Sequence, residues 1–354
     1  MKLSINKNNL ESALTLCNAY VEKKDISAIN SHFLLEASDD KLTIKATDYE
    51  IGLTYKIKKL NIERQGFATV NAKNIMDMIK NLSNEDLVLE TIDNSLFIRQ
   101  KNTKYKLSMF NYEDFPRFPS IENKNKLDLD SSDLSRGLKK IFPAIDTQNA
   151  KYSLNGALID IKQDRINFVG SDTKRLAVFT LNKQNDKELE LSIPKKAIAE
   201  MQKLFYEKIE LFYDENILIA KNENFEFYTK LINDKFPDYE KVIPKTININ
   251  LTLNVEDFLS RLKVIKVVSN KIRVSFAKNK IVFEGSGDNN EAKTELDTEL
   301  NINENFSLII QVDQFMDFLN SIETEEFELK INEPNLSFII SSQELQTIII
   351  PTIL

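Results

Sequence analysis

The 354-residue chain is poor in cysteine, histidine, tryptophan and glycine, with one, one, none and seven of each. The single Cys17 excludes an internal disulfide and supplies no cysteine cluster for a metal ion. The single His32 leaves Ser-His-Asp and Cys-His catalysis with one candidate base. Because an isolated histidine is far more often structural than catalytic, the sequence argues against a nucleophilic enzyme.

The scarcity of glycine also excludes the usual phosphate-binding loops. Gly285 and Gly287 are the only closely spaced pair, and Asn290 stands where a dinucleotide fingerprint needs its third glycine. A metal-dependent nuclease would need converging carboxylates. The best candidates, Asp48 and Glu50, lie in a predicted turn, where aspartate is favoured for its hydrogen bonds to the backbone. We expect no enzyme, no cofactor and no metal, with nuclease chemistry as a remote alternative.

Long apolar runs are absent as well. No stretch reaches the roughly 18 apolar residues that a transmembrane helix needs. The first residues, Met1 to Asn6, turn polar at once, unlike a secretory signal. A hydrophobic content of 42% and a charged content of 29% are typical of soluble globular proteins. We therefore expect a cytoplasmic protein with no membrane partner.

The balance of charge is mildly acidic, with 54 acidic against 47 basic residues. This balance argues against a nonspecific nucleic-acid binder unless the basic residues share one face. On a single helix such bases would form an ordinary solvated face, but on one concave surface they would contact phosphates without reading bases. The six predicted helices together carry twelve basic residues: Lys7, Lys73, Lys80, Arg136, Lys139, Lys140, Lys195, Lys196, Lys203, Arg261, Lys263 and Lys266.

Apolar residues with helical spacing recur three times, at intervals of about 124 residues. The first helix of each copy carries Leu10, Leu14 and Cys17; Leu134, Leu138 and Ile141; and Phe258, Leu262 and Ile265. The second helix carries Ile75, Met78 and Leu82; Ile198, Met201 and Phe205; and Phe315, Phe318 and Ile322. A short strand precedes each helix (Leu127–Leu129 before the third), and alternating strands follow.

The repeat predicts an α+β fold of three tandem copies, with domains at 1–123, 124–247 and 248–354. Each copy consists of two halves, and each half is predicted as one strand, one helix and three strands. Two halves packed together place their helices on one side and their sheets on the other. Three such copies form an arc, which closes into a ring if two chains meet end to end.

Two segments depart from the repeat. The turn at Ser171 and Asp172 resembles the one at Thr47 and Asp48, but the following Lys174-Arg175-Leu176 has no counterpart in the other copies. The chain ends in the apolar run Ile348 to Leu354, whereas termini are usually polar and frayed. Because proline cannot donate to a strand ladder, Pro351 should end the last strand. The residues beyond it predict a groove for an apolar peptide anchor.

Several motifs, taken together with the three-copy plan, resemble the bacterial DNA sliding clamp, the beta subunit of DNA polymerase III holoenzyme, over essentially the whole chain. They are Tyr152-Ser153-Leu154-Asn155-Gly156, Ser171-Asp172-Thr173-Lys174-Arg175-Leu176-Ala177, Ile193-Pro194-Lys195-Lys196, Phe236-Pro237-Asp238-Tyr239 and Pro351-Thr352-Ile353-Leu354.

The resemblance implies a non-catalytic processivity factor. Two chains would form a head-to-tail ring of six domains, with helices around a central hole that encircles double-stranded DNA without sequence preference. A clamp loader, including its delta subunit, would open the ring using ATP bound elsewhere. The ring would tether the DNA polymerase III alpha subunit, other DNA polymerases, ligase and mismatch-repair proteins at the replisome, through short Leu/Phe-containing peptides that enter a pocket between the second and third domains.

The resemblance also implies three sets of site residues. The peptide pocket would use Leu154, Ser171, Thr173, Lys174, Arg175, Leu176, Pro237, Lys241, Val242, Ile350, Pro351, Thr352, Ile353 and Leu354. The DNA contacts would be Lys24, Lys73, Gln148, Lys151, Tyr152, Lys195 and Lys196. The interface between the two chains would join Tyr105 and Leu107 of one to Val267 and Val268 of the other.

This chain departs from the family pattern at the rim of that pocket. Thr173-Lys174 stands where the family often has Gly-His, and Glu240 stands where many members carry an arginine. Thr352-Ile353 replaces a common Met-Arg pair. These changes predict a less basic rim and a more apolar floor. A peptide-binding repeat scaffold that does not bind DNA is the alternative that the acidic charge and apolar terminus fit equally well.

Overall fold

The computed structural model describes residues 1–25, 27–287 and 289–351. The chain divides into two compact units. Unit 1 comprises Met1–Ser132 and Lys203–Leu231; unit 2 comprises Asp133–Gln202 and the described residues from Ile232 onward.

The elements follow one another in a regular order. The first copy contains β1 (Lys2–Asn6), α1 (Lys7–Cys17), β2 (His32–Ser38), β3 (Lys41–Thr47), β4 (Ile51–Ile57), β5 (Asn61–Arg64), β6 (Gly66–Asn71), α2 (Ala72–Lys80), β7 (Asp86–Ile92), β8 (Ser95–Gln100) and β9 (Thr103–Ser108). The central copy contains β10 (Asn125–Leu127), α3 (Ser131–Ile141), β11 (Gly156–Ile161), β12 (Arg165–Ser171), β13 (Arg175–Asn182), β14 (Leu189–Pro194), α4 (Lys195–Leu204), β15 (Glu210–Tyr213), β16 (Ile217–Lys221) and β17 (Phe225–Lys230). The last copy contains β18 (Ile249–Asn254), α5 (Val255–Lys266), β19 (Lys271–Ala277), β20 (Lys280–Gly287), β21 (Asn290–Asp297), β22 (Phe306–Gln311), α6 (Val312–Leu319), β23 (Glu326–Ile331), β24 (Phe338–Ser342) and β25 (Leu345–Ile349).

This order confirms the predicted half-repeat. One strand, one helix and three strands recur six times, and β5 is the one additional strand among the described residues. The strand predicted at Leu127–Leu129 lies two residues earlier, at Asn125–Leu127, where it pairs with β15.

Each unit contains one large and one small antiparallel sheet. In unit 1 the strand orders are β10-β15-β16-β17-β4-β3-β2-β6 and β5-β1-β7-β8-β9. In unit 2 they are β18-β23-β24-β25-β13-β12-β11-β14 and β21-β20-β19-β22. The two eight-stranded sheets repeat the same order 124 or so residues apart. Their central pairings, β4 with β17 and β13 with β25, join strands of successive predicted copies into one sheet.

Each helix buries an apolar face. The predicted positions of α1, α3 and α5 are all buried, and α1 packs on α2 as α5 packs on α6. The pattern for α2 was partly wrong, because Met76 and Ile79 share the buried face with Ile75 while Met78 is half-buried. The prediction also extended too far at Ile322, since α6 ends at Leu319.

The rare residues fill structural positions. Cys17 is buried in α1, and burial raises the pKa of its thiol. The His32 ring is buried against Phe110 with ring centroids 4.6 Å apart, and its Nδ1 lies 3.2 Å from the Ala28 carbonyl oxygen. Burial lowers the His32 pKa, which favours the neutral imidazole. No helix among the described residues is both long and apolar enough to cross a membrane.

Candidate functional site

The turn between β12 and β13 has the same hydrogen bonds as the turn between β3 and β4. Asp172 Oδ1 accepts the backbone N–H groups of Lys174 and Arg175 at 3.0 and 2.9 Å. Asp48 Oδ1 accepts those of Glu50 and Ile51, both at 3.0 Å. In each turn the intervening residue has a positive φ, 72° at Thr173 and 73° at Tyr49. The Asp48 carboxylate therefore supports a turn. Among the described residues, no three or more Asp, Glu, His or Cys side chains cluster so that they could hold a metal ion.

Arg175 extends the second turn into a buried network. Its Nε donates to Asp172 Oδ2 at 3.1 Å, one terminal nitrogen donates to Asp317 Oδ2 of α6 at 2.8 Å, and the other donates to the Pro143 carbonyl oxygen at 2.6 Å. The Arg175 side chain is 9% exposed. The Arg175 guanidinium thus links the turn to α6 and to the segment after α3. The sequence did not predict these contacts.

An apolar cluster lies beside this turn in unit 2. It joins β11, β12 and β13 to the segment after β17 and to the last two strands: Leu154, Leu158, Val169, Leu176, Val178, Phe236, Tyr239, Ile339 and Ile348, with Ile243 packed against them. Leu176 and Ile348 are direct cross-strand partners.

Exposed and half-buried apolar residues lie close in the chain to members of this cluster, Val242 three residues after Tyr239 and Ile350 two residues after Ile348. Val242 is 45% exposed and Ile350 is 44% exposed, while Pro237 is half-buried. The Ile350 N–H donates to the Lys174 carbonyl oxygen at 3.0 Å, which holds the chain end beside the turn. We call the cluster together with Val242 and Ile350 the apolar patch. The predicted pocket residues Thr352, Ile353 and Leu354 lie outside the described residues.

Charged residues at the rim of the apolar patch pair locally. Lys241 is exposed, and its ammonium lies 2.8 Å from the Asp238 carboxylate, which lowers the pKa of that carboxyl. Glu240 lies 3.8 Å from the Arg165 guanidinium. Thr173 and Lys174 are exposed and Ser171 is half-buried, with its hydroxyl donating to the Arg175 carbonyl oxygen.

The predicted DNA contacts fall on surfaces of both units. In unit 1, Lys24 is exposed, and Lys73 lines a cavity of about 260 Å³ beside α2 with Lys23 and Lys80. In unit 2, the exposed members are Gln148, Lys151, Tyr152 and Lys196. Lys195 differs, because its ammonium donates to the Ile145 carbonyl oxygen at 2.5 Å over the Phe142 ring, and burial lowers its pKa.

Several of the helical bases have carboxylate partners rather than a free surface. Lys7 is 9% exposed and pairs with Glu11 one turn on. Ion pairs also join Arg136 to Asp133, Lys140 to Glu323 and Lys266 to Asp313. These bases therefore meet acids on the same helix, on α6 or in the segment after α6.

The predicted interface residues lie on one edge strand of unit 1 and on the segment after α5 in unit 2. Tyr105 and Leu107 belong to β9, an edge strand of the five-stranded sheet of unit 1. Val267 and Val268 directly follow α5, and Val267 is 87% exposed. Sequence reasoning missed the charges: β9 exposes Lys104 and Lys106, whereas β21, an edge strand of unit 2, exposes Glu291, Lys293, Glu295 and Asp297. Alternate residues of a strand lie on the same face, so the recurrence of these charges at every second residue could have predicted a charged face on each strand.

The Arg175 network yields a stability prediction. Arg175→Met leaves the Asp172 and Asp317 carboxylates without their shared cation, so we expect a loss of about 3 kcal/mol in unfolding free energy. The matched control is Arg165→Met, since Arg165 is more exposed and its ion pairs are at the surface. That change should cost less than about 1 kcal/mol. Chemical denaturation of both variants checks the difference, and equal losses would show that the Arg175 network contributes no more than a surface pair.

Comparison with known proteins relates this architecture to one family over the whole chain. Residues 1–119 match the N-terminal domain of the DNA polymerase III beta subunit, 128–238 its central domain, and 240–352 its C-terminal domain.

Individual relatives agree with this match. The chain is 37% identical to a beta sliding clamp of Helicobacter pylori over 350 residues, covering 96% of this chain and 94% of the relative. It is similar to a crystal structure of the Helicobacter pylori beta clamp bound to a DNA ligase peptide, with a TM-score of 0.94, 36% identity and full coverage of both chains. A beta subunit from Pseudomonas aeruginosa shares the fold at 23% identity, with a TM-score of 0.92. The chain belongs to the family of the DNA polymerase III beta subunit, the bacterial sliding clamp, a non-catalytic processivity factor of DNA replication.

Proposed function

We propose that two copies of this chain join head to tail into a ring around duplex DNA and hold replication proteins through peptides bound at the apolar patch. The observation that carries the peptide site is the exposure of Val242 and Ile350 on the two segments that also supply Tyr239 and Ile348 to the buried apolar cluster. Exposed apolar side chains that border a core are typical of binding sites. A related clamp binds a DNA ligase peptide, which supports the same use here.

The partners of the apolar patch are proteins that carry short Leu/Phe-containing segments. We assign to this class the DNA polymerase III alpha subunit, the loader delta subunit, other polymerases, ligase and mismatch-repair proteins. An apolar anchor residue of such a segment would cover Val242 and Ile350 and contact Leu176 beneath them. The local pairing of Lys241 with Asp238 leaves the rim close to neutral, which favours apolar anchors over acidic side chains.

Two edge strands whose exposed side chains differ in charge support this ring closure. An edge strand presents open backbone donors and acceptors that another strand can pair with. The basic edge β9 and the largely acidic edge β21 belong to different units, so pairing between copies is head to tail. Tyr105 and Leu107 of one copy would then pack against Val267 and Val268 of the other. The proposed domains are 1–123, 124–247 and 248–354.

DNA contacts in this proposal are to phosphates. The exposed cations Lys24, Lys73, Lys151 and Lys196, with Gln148 and Tyr152, would meet the DNA backbone without reading its sequence. Lys195 would contribute mainly by holding the loop that carries Lys151, since its ammonium is bound to Ile145. The site of action is the replisome in the cytoplasm.

Deletion of residues 350–354 tests the peptide site. The deletion removes Ile350 and its hydrogen bond to Lys174, so we expect the affinity for the Helicobacter pylori DNA ligase peptide to fall at least about tenfold, with the dimer intact. Fluorescence anisotropy with a labelled peptide measures the affinity. The matched control is Leu336→Ala, because Leu336 is a similarly exposed apolar residue of unit 2, at 47%. Unchanged affinity after the deletion would refute the assignment of the site.

Retention on DNA tests the ring. Once loaded by a clamp loader, the protein should stay on nicked circular DNA and slide off the same DNA after it is made linear, because a ring is held by topology rather than by base contacts. Gel filtration of the loaded complexes before and after linearisation measures retention. Equal retention on both forms would contradict encirclement.

A further inference from the structure

A buried hydroxyl group anchors the segment that carries Pro237, Lys241 and Val242. Tyr239 begins a short 3₁₀ turn, Tyr239–Val242, and is 6% exposed. Its hydroxyl donates to Asp160 Oδ2 at 2.6 Å and accepts from Asn167 Nδ2 at 2.8 Å. Asp160 is 2% exposed, so its carboxylate depends on partners within the protein.

The partners of this hydroxyl form one row across three strands. Asp160 of β11 lies opposite Asn167 of β12, which lies opposite Thr180 of β13. Thr180 Oγ1 donates to Asn167 Oδ1 at 2.9 Å, and the Lys162 ammonium lies 3.3 Å from Asp160 Oδ2. These contacts give partners to the polar atoms of Asp160 and Asn167 that burial would otherwise leave unpaired.

The polar row borders the apolar floor of the patch. Side chains two residues apart on a strand share a face of the sheet. Leu158, Val169 and Val178 therefore form the next row beside Asp160, Asn167 and Thr180. The Tyr239 hydroxyl is bound at the polar row, and Tyr239 also belongs to the apolar cluster, while Val242, three residues on, is exposed.

The equivalent place in unit 1 is built without such an anchor. The corresponding row is Glu36, Thr43 and Lys56, which are cross-strand neighbours in β2, β3 and β4. Phe118 stands in the position of Tyr239 relative to the repeated Phe-Pro pair and has no hydroxyl. Its ring packs edge-on against Tyr228, with centroids 5.1 Å apart.

Tyr228 occupies in unit 1 the strand position that corresponds to Ile348 in unit 2. Tyr228 pairs with Gly52 across β17 and β4, as Ile348 pairs with Leu176 across β25 and β13. A Cβ at residue 52 would overlap the Tyr228 ring, lying 2.8 Å from its Cζ, so the ring lies directly over this glycine. The Tyr228 hydroxyl is bound to Thr47 Oγ1 at 2.6 Å. In unit 1 the corresponding pair of strands is thus covered by the Tyr228 ring.

We propose that Tyr239 is a positioning residue for peptide binding: its hydroxyl, held by Asp160 and Asn167, fixes the segment 236–243 in the arrangement that accepts a partner peptide. The inference rests on the proposed peptide site. Tyr239 itself is buried beneath the surface, so it acts through Pro237 and Val242. If the anchor is lost, the segment samples other arrangements, and the apparent affinity falls in proportion to the fraction of molecules that remain competent to bind.

The test compares Tyr239→Phe with Tyr228→Phe. Both tyrosines are 6% exposed, and each hydroxyl has a hydrogen bond of 2.6 Å, so Tyr228→Phe is a control of equal burial and equal change in side-chain structure. Anisotropy with the labelled Helicobacter pylori DNA ligase peptide gives affinity and dissociation rate, and thermal unfolding gives stability. We expect Tyr239→Phe to weaken binding about tenfold, mainly by faster dissociation, and Tyr228→Phe to change it less than twofold.

A third variant separates positioning from general destabilisation. Asp160→Asn keeps an oxygen that can accept from Tyr239, so its affinity should lie closer to that of the unchanged protein than the affinity of Tyr239→Phe does. Unchanged affinity in Tyr239→Phe, or equal weakening in Tyr239→Phe and Tyr228→Phe, would overturn the inference. If the unchanged protein does not bind the peptide, the proposed function fails instead.

Discussion

The backbone pairing of β13 with β25 is the interaction on which the apolar patch depends. A half-repeat leaves an open sheet edge, and each unit closes such an edge by pairing strands of successive copies. In unit 2 this pairing sets Leu176 beside Ile348 and brings the end of the chain to the turn at Lys174. In unit 1 the same pairing sets Gly52 beside Tyr228, whose ring fills the space. The two units therefore share one arrangement of strands but present different surfaces, because the side chains of one cross-strand pair differ.

The sequence predicted what local periodicity and turn chemistry determine. The helical spacing of Leu134, Leu138 and Ile141 identified a buried face, and the Ser171-Asp172 turn follows from hydrogen bonds within five residues. Contacts between side chains that lie far apart in the sequence were not predicted. Arg175 binds Asp317, 142 residues on, and Tyr239 binds Asp160, 79 residues before it. Such contacts depend on strand order, which no local pattern specifies.

The sequence is compatible with a nuclease, a processivity factor or a peptide-binding scaffold, and the structure and the comparisons distinguish among these three. The Asp48 carboxylate accepts backbone hydrogen bonds in a repeated turn, which accounts for its place without nuclease chemistry. Membership of the sliding-clamp family over all three copies favours a processivity factor over a peptide-binding scaffold that does not bind DNA. The resemblance predicted Leu154, Leu176 and Val242 as pocket residues, but it implied neither the hydrogen bonds of Arg175 to Asp172 and Asp317 nor those of Tyr239 to Asp160 and Asn167.

Ring closure is the central claim, because encirclement of DNA requires a second copy to pair its edges with the first. Sedimentation equilibrium at micromolar concentration measures this most directly. The account predicts a mass of twice the 40.9 kDa chain. It also predicts a shift toward single chains when Lys104→Glu and Lys106→Glu place like charges opposite the acidic side chains of β21. A single-chain mass for the unchanged protein, or an unaltered dimer in the charge-reversed variant, would contradict the pairing of β9 with β21.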